Sequence, residues 1–283
     1  MFNDGKLYLI GEIGLNHNSD YNIIIKLIDA INCCGWNCAK FQKRDPNLIP
    51  ESMKSVIRDT PWGKITYLEY KRKIELDLNT YFKIDSYIDS KSIDWTTSVW
   101  DIPSINFMKG FESVIPFIKI PSALNTNVEF LREISNVFIN KYIILSTGMC
   151  TFEELDVSVN EILKKTDKLI LMHTNSTYPS PYNQLNLSLI PILKERYKLE
   201  VGYSGHEEDL TPTIIAYMMG ARIIERHITL DHSMWGTDQK SSLEINGMVT
   251  LKKRLEDIDI MIGNGKKIIT DDEWKKRLQL AGK

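Results

Sequence analysis

The chain has 283 residues, 43% hydrophobic, 25% charged and 10% aromatic, a composition that excludes a disordered, collagen-like or coiled-coil protein and suffices for a large buried core. Thirty-five Lys and Arg against 37 Asp and Glu leave a formal charge of -2, so nothing in the bulk charge points to nucleic acid or to an anionic membrane. The apolar run at 7–10 is too short for a signal-peptide core, and no later stretch approaches the ~20 apolar residues of a spanning helix, so a cytoplasmic protein is expected.

Taken in chain order, short β-branched or aromatic runs predict strands at 7–12, 38–42, 94–98, 117–120, 142–146, 168–173, 199–203 and 221–227. Amphipathic segments between them predict helices at 21–32, 80–89, 102–109, 128–134, 151–163, 187–195 and 212–219, with 248–261 after the last strand. Ser19-Asp20 before the first helix, a capping box of Thr151 with Glu154, and Thr211-Pro212 support this register. Eight strand–helix pairs match a (β/α)8 TIM barrel in number and length, and a single domain over 1–283 is expected. The gap from Arg44 to about Tyr70, with Pro46, Pro50, Pro61 and Trp62, reads as an elaborated loop above the second strand. Residues 268–283 read as a short charged helical tail. The four cysteines, Cys33, Cys34, Cys38 and Cys150, lack paired metal-site spacing and are expected to be buried thiols without disulfides.

In such a barrel the chemistry lies at the carboxyl ends of the strands. Every predicted strand ends on polar residues: Glu12; Lys40 and Gln42; Ser98; Lys119 and Ser122; Ser146 and Thr147; His173 and Ser176; Tyr203 through His206; Glu225 and His227. Lys40 and Lys119 end otherwise apolar strands, CAKFQ and FIKIPS, so both ammonium groups are expected to point into one pocket for an anionic substrate. The alternative for either alone is a lysine reaching out to the rim. Ser98, Ser122, Ser146, Thr147 and the Gly148 backbone add small donors suited to a phosphate or carboxylate. Glu225 and His227, two apart on a strand, face the same way and would share the mouth with His206. Two imidazoles from neighbouring strands suit a divalent metal with open positions, or equally two core histidines bonded to backbone.

The strings GEIGLNHN, CAKFQ, TSVWD, IKIPSALN, ILSTGMCTFEEL, LMHTNSTYPSP, VGYSGHEED, IIERHITLD and MWGTDQKSSLE occur in order from about Leu7 to about Ile260. Together they resemble the bacterial N-acetylneuraminate (sialic acid) synthase family, which includes legionaminate and pseudaminate synthases. The resemblance implies a TIM barrel that condenses phosphoenolpyruvate with the open-chain aldehyde of N-acetylmannosamine or a related amino sugar. The products implied are a nonulosonic acid and phosphate, within carbohydrate biosynthesis such as that of lipopolysaccharide or capsule. It also implies a divalent cofactor, Mn2+ or Mg2+, acting as a Lewis acid on the aldehyde, and a homodimer. Residue by residue, Lys40, Ser98, Lys119, Ser122, Ser146 and Ser176 match phosphoenolpyruvate-binding positions, and His206 and His227 the metal-binding histidines. Gln42, Tyr178 and Asp238 match positions near the sugar, while Glu12 and Glu225, with the two histidines, match the catalytic centre.

Two features depart from the family pattern. Many members carry a second, antifreeze-like domain that lends an arginine to the sugar's N-acetyl group, and the sequence is expected to lack it, so the 44–70 loop or the tail is a candidate to close the site instead. In the expected pocket, Leu124 stands where some members have an acid, and Ser176 where some have asparagine. An unacetylated or phosphorylated sugar therefore remains an alternative acceptor. A metal-independent Schiff-base aldolase using Lys119 or Lys40, and a catalytically silent scaffold, are the remaining readings.

Overall fold

Eight parallel strands close into a barrel in the computed structural model, which describes residues 2 and 5–281. In chain order they are Tyr8–Gly14, Cys38–Lys43, Asp94–Val99, Phe117–Ile120, Tyr142–Ser146, Leu169–Thr174, Glu200–Gly205 and Ile223–His227, and the last pairs with the first. All eight match the predicted strands to within two residues at each end. The TIM barrel expected from sequence is the observed fold.

Strand periodicity sorts the side chains. One set points into the barrel, where Tyr8, Ile10, Cys38, Phe117, Ile144, Ile170, Met172 and Ile223 pack with Phe2 into an apolar plug. The other set, with Leu9, Ala39, Phe41, Ile118, Ile143, Leu145, Leu171, Val201 and Ile224, packs outward against the helices. The lumen narrows enough that a Cβ at Gly202 would sit 2.4 Å from the Ile223 carbonyl oxygen, so that strand position excludes a side chain.

Helix starts follow the sequence signals. Asp20 accepts from the Asn22 amide, the Thr151–Glu154 capping box forms, and Pro212 sits in the first turn of Thr211–Met218. The excursion after the second strand corrects the loop expectation. It folds into a helix Glu51–Lys54, a hairpin of Ile57–Thr60 with Gly63–Thr66, and a helix Tyr67–Ile74 opened by a Thr66–Glu69 capping box. Short, charged segments give no clear period, which is why this order was not legible. The tail forms the helix Asp271–Ala281, which buries none of its residues; 282 and 283 lie outside the described residues. Three cysteines are at least half-buried but Cys33 is exposed, correcting the uniform burial expected, and all four are free thiols. Among the described residues no helix is long and apolar enough to cross a membrane.

On the outer side of the last two strands lies a fully buried ion pair, Arg226 Nη1 to Glu207 Oε1 at 3.2 Å, both side chains 0% exposed. Tyr203 donates to Glu207 Oε2 at 2.9 Å, Thr213 donates to Oε1 at 3.0 Å, and Arg226 also reaches the carbonyls of Asp209 and Glu207. Tyr203, expected at the mouth, therefore faces the helices. The pair ties the eighth strand to the segment following the seventh.

Removing one partner would strand a buried charge. Glu207→Gln is expected to cost about 3–5 kcal/mol in urea unfolding, with Glu207→Leu/Arg226→Met recovering most of it; a single-variant loss below about 1 kcal/mol would contradict this account. Stability should also fall in acid. Burial pulls His17 down to about 4 and His173 also below the ordinary histidine value, so both stay neutral in the fold while the unfolded chain takes up protons near pH 6.5. The stabilisation is thus complete above that value and is lost as pH falls through it; His17 alone withdraws about 2 kcal/mol between pH 7 and 5. A urea midpoint that holds steady over that interval would refute it.

Candidate active site

The inward parity that fills the barrel floor with apolar side chains continues upward into polar ones. Glu12 follows Ile10, Lys40 follows Cys38, Lys119 follows Phe117, Ser146 follows Ile144 and Glu225 follows Ile223, each two residues on, and His227 follows Glu225 by two more. Register brings them level: Glu12 pairs with Lys40 on one side and His227 on the other, Gln42 with Ser98, Ser98 with Lys119, and Glu225 with Ser204.

At the centre is a buried quartet. Lys40 Nζ lies 2.6 Å from Glu12 Oε2 and 3.5 Å from Glu225 Oε1, while Lys119 Nζ lies 3.0 Å from both Glu225 oxygens. Both lysines enter one pocket as expected, but their charges are met by carboxylates of the chain itself. Gln42 donates to Glu12 Oε1 at 3.1 Å and Ser204 to Glu225 Oε1 at 3.2 Å.

The two glutamates differ in environment. Burial alone would raise Glu225, but Lys119 and Lys40 outweigh it and hold the carboxyl down at about 2. Burial raises Glu12, and the single close ammonium of Lys40 does not offset it. Burial also lowers Lys119, whereas for Lys40 the two carboxylates overcome burial and raise it. Two carboxyls pushed apart in this way suit opposite roles, one permanently ionised and one that exchanges a proton.

A hydroxyl cradle lies beside the quartet. Ser98, Ser122, Ser146 and Ser176 line the same cavity. A Cβ at Gly148 would sit 2.5 Å from Ser176 Oγ and 2.8 Å from Ser122 Oγ, so those hydroxyls converge on bare backbone. Asn125, buried in the loop after the fourth strand, holds this turn by donating to the carbonyls of Ser146 and Gly148 at 3.0 and 2.7 Å. Small donors with two ammonium groups suit a phosphate or carboxylate.

The third feature is the imidazole pair. His206 and His227 lie with ring centroids 5.6 Å apart. His206 Nδ1 is 2.6 Å from the Asn175 carbonyl, which orients Nε2 inward, where the Tyr178 hydroxyl stands 2.9 Å away with its ring stacked on the imidazole. Burial and the neighbouring His227 bring His206 down to about 3, keeping it neutral. His227 Nδ1 is buried with no hydrogen-bond partner, and Asp238 Oδ2 lies 3.9 Å off. Among the described residues no three His, Cys, Asp or Glu side chains converge as a complete metal site. The orphaned nitrogen and the neutral, pre-oriented His206 fit a divalent ion that takes its other ligands from water and substrate.

Of the residues singled out from sequence, Glu12, Lys40, Gln42, Ser98, Lys119, Ser122, Ser146, Ser176, Tyr178, His206, Glu225 and His227 line one cavity. Asp238 stands just outside it, beside His227. Leu124, expected in the pocket, packs against the outer core instead, and His173 bonds the Leu185 carbonyl. Ser204, within the 203–206 run at the end of the seventh strand, lines the cavity as expected, and Trp100 and Thr174 line it without having been expected there. Trp100 follows Ser98 by two residues and so shares its face, whereas Asn125 looks like any loop asparagine.

Comparison with known proteins agrees with this geometry. The model of the NeuB family matches residues 27–267. An N,N'-diacetyllegionaminic acid synthase of Campylobacter jejuni is 33% identical over 281 residues, which are 95% of this chain and 81% of that protein. An N-acetylneuraminate-9-phosphate synthase of Drosophila melanogaster is 35% identical over 84% of this chain, which spans 64% of that relative. The crystal structure of an N-acetylneuraminic acid (sialic acid) synthetase from Leptospira borgpetersenii, in complex with citrate, matches with a TM-score of 0.83 at 26% identity, covering 98% of this chain and 93% of that one. The chain belongs to the NeuB family of sialic- and nonulosonic-acid synthases.

Proposed function

We propose that the protein condenses phosphoenolpyruvate with the open-chain aldehyde of N-acetylmannosamine or a related amino sugar, forming a sialic-acid-type nonulosonic acid and phosphate. The observation that carries this reading is the buried quartet of Glu12, Lys40, Lys119 and Glu225 beside a serine cradle. Two ammonium groups held at this depth by carboxylates, with four serines lining the same cavity, suit a small anion that can share those donors.

Phosphoenolpyruvate would lie with its phosphate and carboxylate among Ser98, Ser122, Ser146, Ser176 and the Gly148 backbone, facing Lys119 and Lys40. The sugar would approach along Gln42, Tyr178 and Asp238. His206 Nε2 and His227 would hold a Mn2+ or Mg2+ ion, which when bound supplies Lewis acidity at the aldehyde oxygen.

The methylene carbon of phosphoenolpyruvate attacks the aldehyde carbon, whose oxygen takes the carbonyl electron pair and then a proton from solvent to become a hydroxyl, and positive charge is left on the phosphate-bearing carbon. Glu225, held ionised by the lysines, stabilises that charge. Water then adds to the same carbon, and Glu12, whose proton affinity burial raises, takes the proton that the water gives up. The tetrahedral carbon then expels phosphate by carbon–oxygen cleavage as its new hydroxyl becomes the ketone carbonyl and passes its proton to the departing phosphate. A Schiff base at Lys119 is less favoured, because that ammonium is engaged by both oxygens of Glu225.

Phosphate release from phosphoenolpyruvate, measured on metal-stripped protein with manganese restored and a panel of amino sugars, tests the reading directly. Release that requires both metal and sugar is expected, and none with any sugar would refute it. Glu12→Gln should lower kcat by ~10^2–10^4 and remove the acidic limb of the pH profile. Glu225→Gln should lower kcat without removing that limb, because its carboxyl titrates far below the working range.

A further inference from the structure

The turn after the fifth strand is anchored through its carbonyls. Asn125, 1% exposed, donates from Nδ2 to the carbonyls of Ser146 and Gly148 and lies 3.3 Å from Cys150 Sγ. The Cys150 thiol in turn donates to the Thr147 carbonyl at 3.4 Å. Three consecutive carbonyls are thus answered by two side chains, neither of which lines the active-site cavity.

Tying the carbonyls orients the amides. The peptides of this turn are trans, so each N–H points opposite to the carbonyl of its own peptide unit. With the Thr147 and Gly148 carbonyls drawn toward Cys150 and Asn125, the amides of Gly148 and Met149 lie on the opposite side of the chain. The Thr147 amide is taken up by the Met172 carbonyl at 3.0 Å, but neither of those two amides donates to another group among the described residues. Met149 holds a left-handed φ of 63°, unfavourable for a side chain of its size and kept only where surrounding contacts impose it. Two successive free amides at such a turn form a concavity suited to an anion. The Ser122 and Ser176 hydroxyls converge on the same Gly148, and Met149 itself lines the cavity.

We propose that Asn125, assisted by Cys150, is a positioning residue for phosphoenolpyruvate: by drawing the carbonyls of the 146–148 turn to itself and to the thiol, it presents the Gly148 and Met149 amides to an anionic group of that substrate. The inference rests on the synthase reading above and adds a residue that acts on the substrate only through the backbone.

The test is calorimetric titration of phosphoenolpyruvate into the wild type, Asn125→Leu and Asn125→Asp, with steady-state kinetics alongside. Leucine keeps the volume without the donor or any charge, and aspartate keeps the shape while setting oxygens against the two carbonyls. Each variant should raise both Kd and KM for phosphoenolpyruvate by about 10- to 100-fold. At saturating phosphoenolpyruvate, kcat and the KM for the sugar should stay within about threefold of the wild type. A merely structural role would instead lower Tm and the fraction of protein that binds, with the Kd of the remainder unchanged. That pattern, or an unchanged Kd in whichever variant folds, would overturn the positioning role and leave the synthase reading intact. A wild type that binds no phosphoenolpyruvate would overturn both.

Discussion

The closed parallel barrel imposes one constraint from which the remaining features follow: on every strand, alternate residues must point into a common lumen. At the floor that parity is met by Ile10, Cys38, Phe117, Ile144 and Ile223, and at the mouth by Glu12, Lys40, Lys119, Ser146 and Glu225. A slip of one residue on any strand would drive a charge into the helix layer and an aliphatic group into the pocket. The apolar floor therefore fixes the register that assembles the site, and the site needs no scaffold of its own.

Within that register, electrostatics divides the labour. Lys40 stands between two carboxyls, but Lys119 touches Glu225 alone, so one glutamate is held firmly as an anion and the other is left with a raised proton affinity. Desolvation enlarges the difference, since each missing contact is made in a medium that screens poorly. The opposite parity repeats the theme on the outer surface of the same strands. Arg226, between Glu225 and His227, pairs with Glu207, the neighbour of His206, so a buried ion pair braces the two segments that carry the imidazoles. The histidines are thereby spaced by residues that never enter the cavity.

The mouth obeys different rules, because loops are not bound by strand parity. The segment between the second strand and the helix Leu78–Asp89 builds its own hairpin and capped helix, and its Tyr70 packs 5.5 Å from Trp235. The barrel interior is close to self-neutralising, its two lysines meeting two glutamates. The tail helix, by comparison, contributes no residue to the cavity.

The sequence by itself determined the barrel, its eight strands and nearly all of the cavity lining, because strand periodicity, caps and strand-end polarity are local properties and the quoted strings are specific. Lys40, Lys119, His206, Glu225 and His227 could be named from position alone. Only the tertiary structure decided what each group faces: that the lysines are neutralised by Glu12 and Glu225, that Leu124 and Tyr203 turn away from the pocket, that Asn125 holds the Gly148 turn, and that Lys71 is buried against the rings of Tyr67 and Tyr70. These are contacts between residues far apart in the chain. A residue's burial and charge partners depend on neighbours that closure of the barrel brings into place, and no local period encodes them.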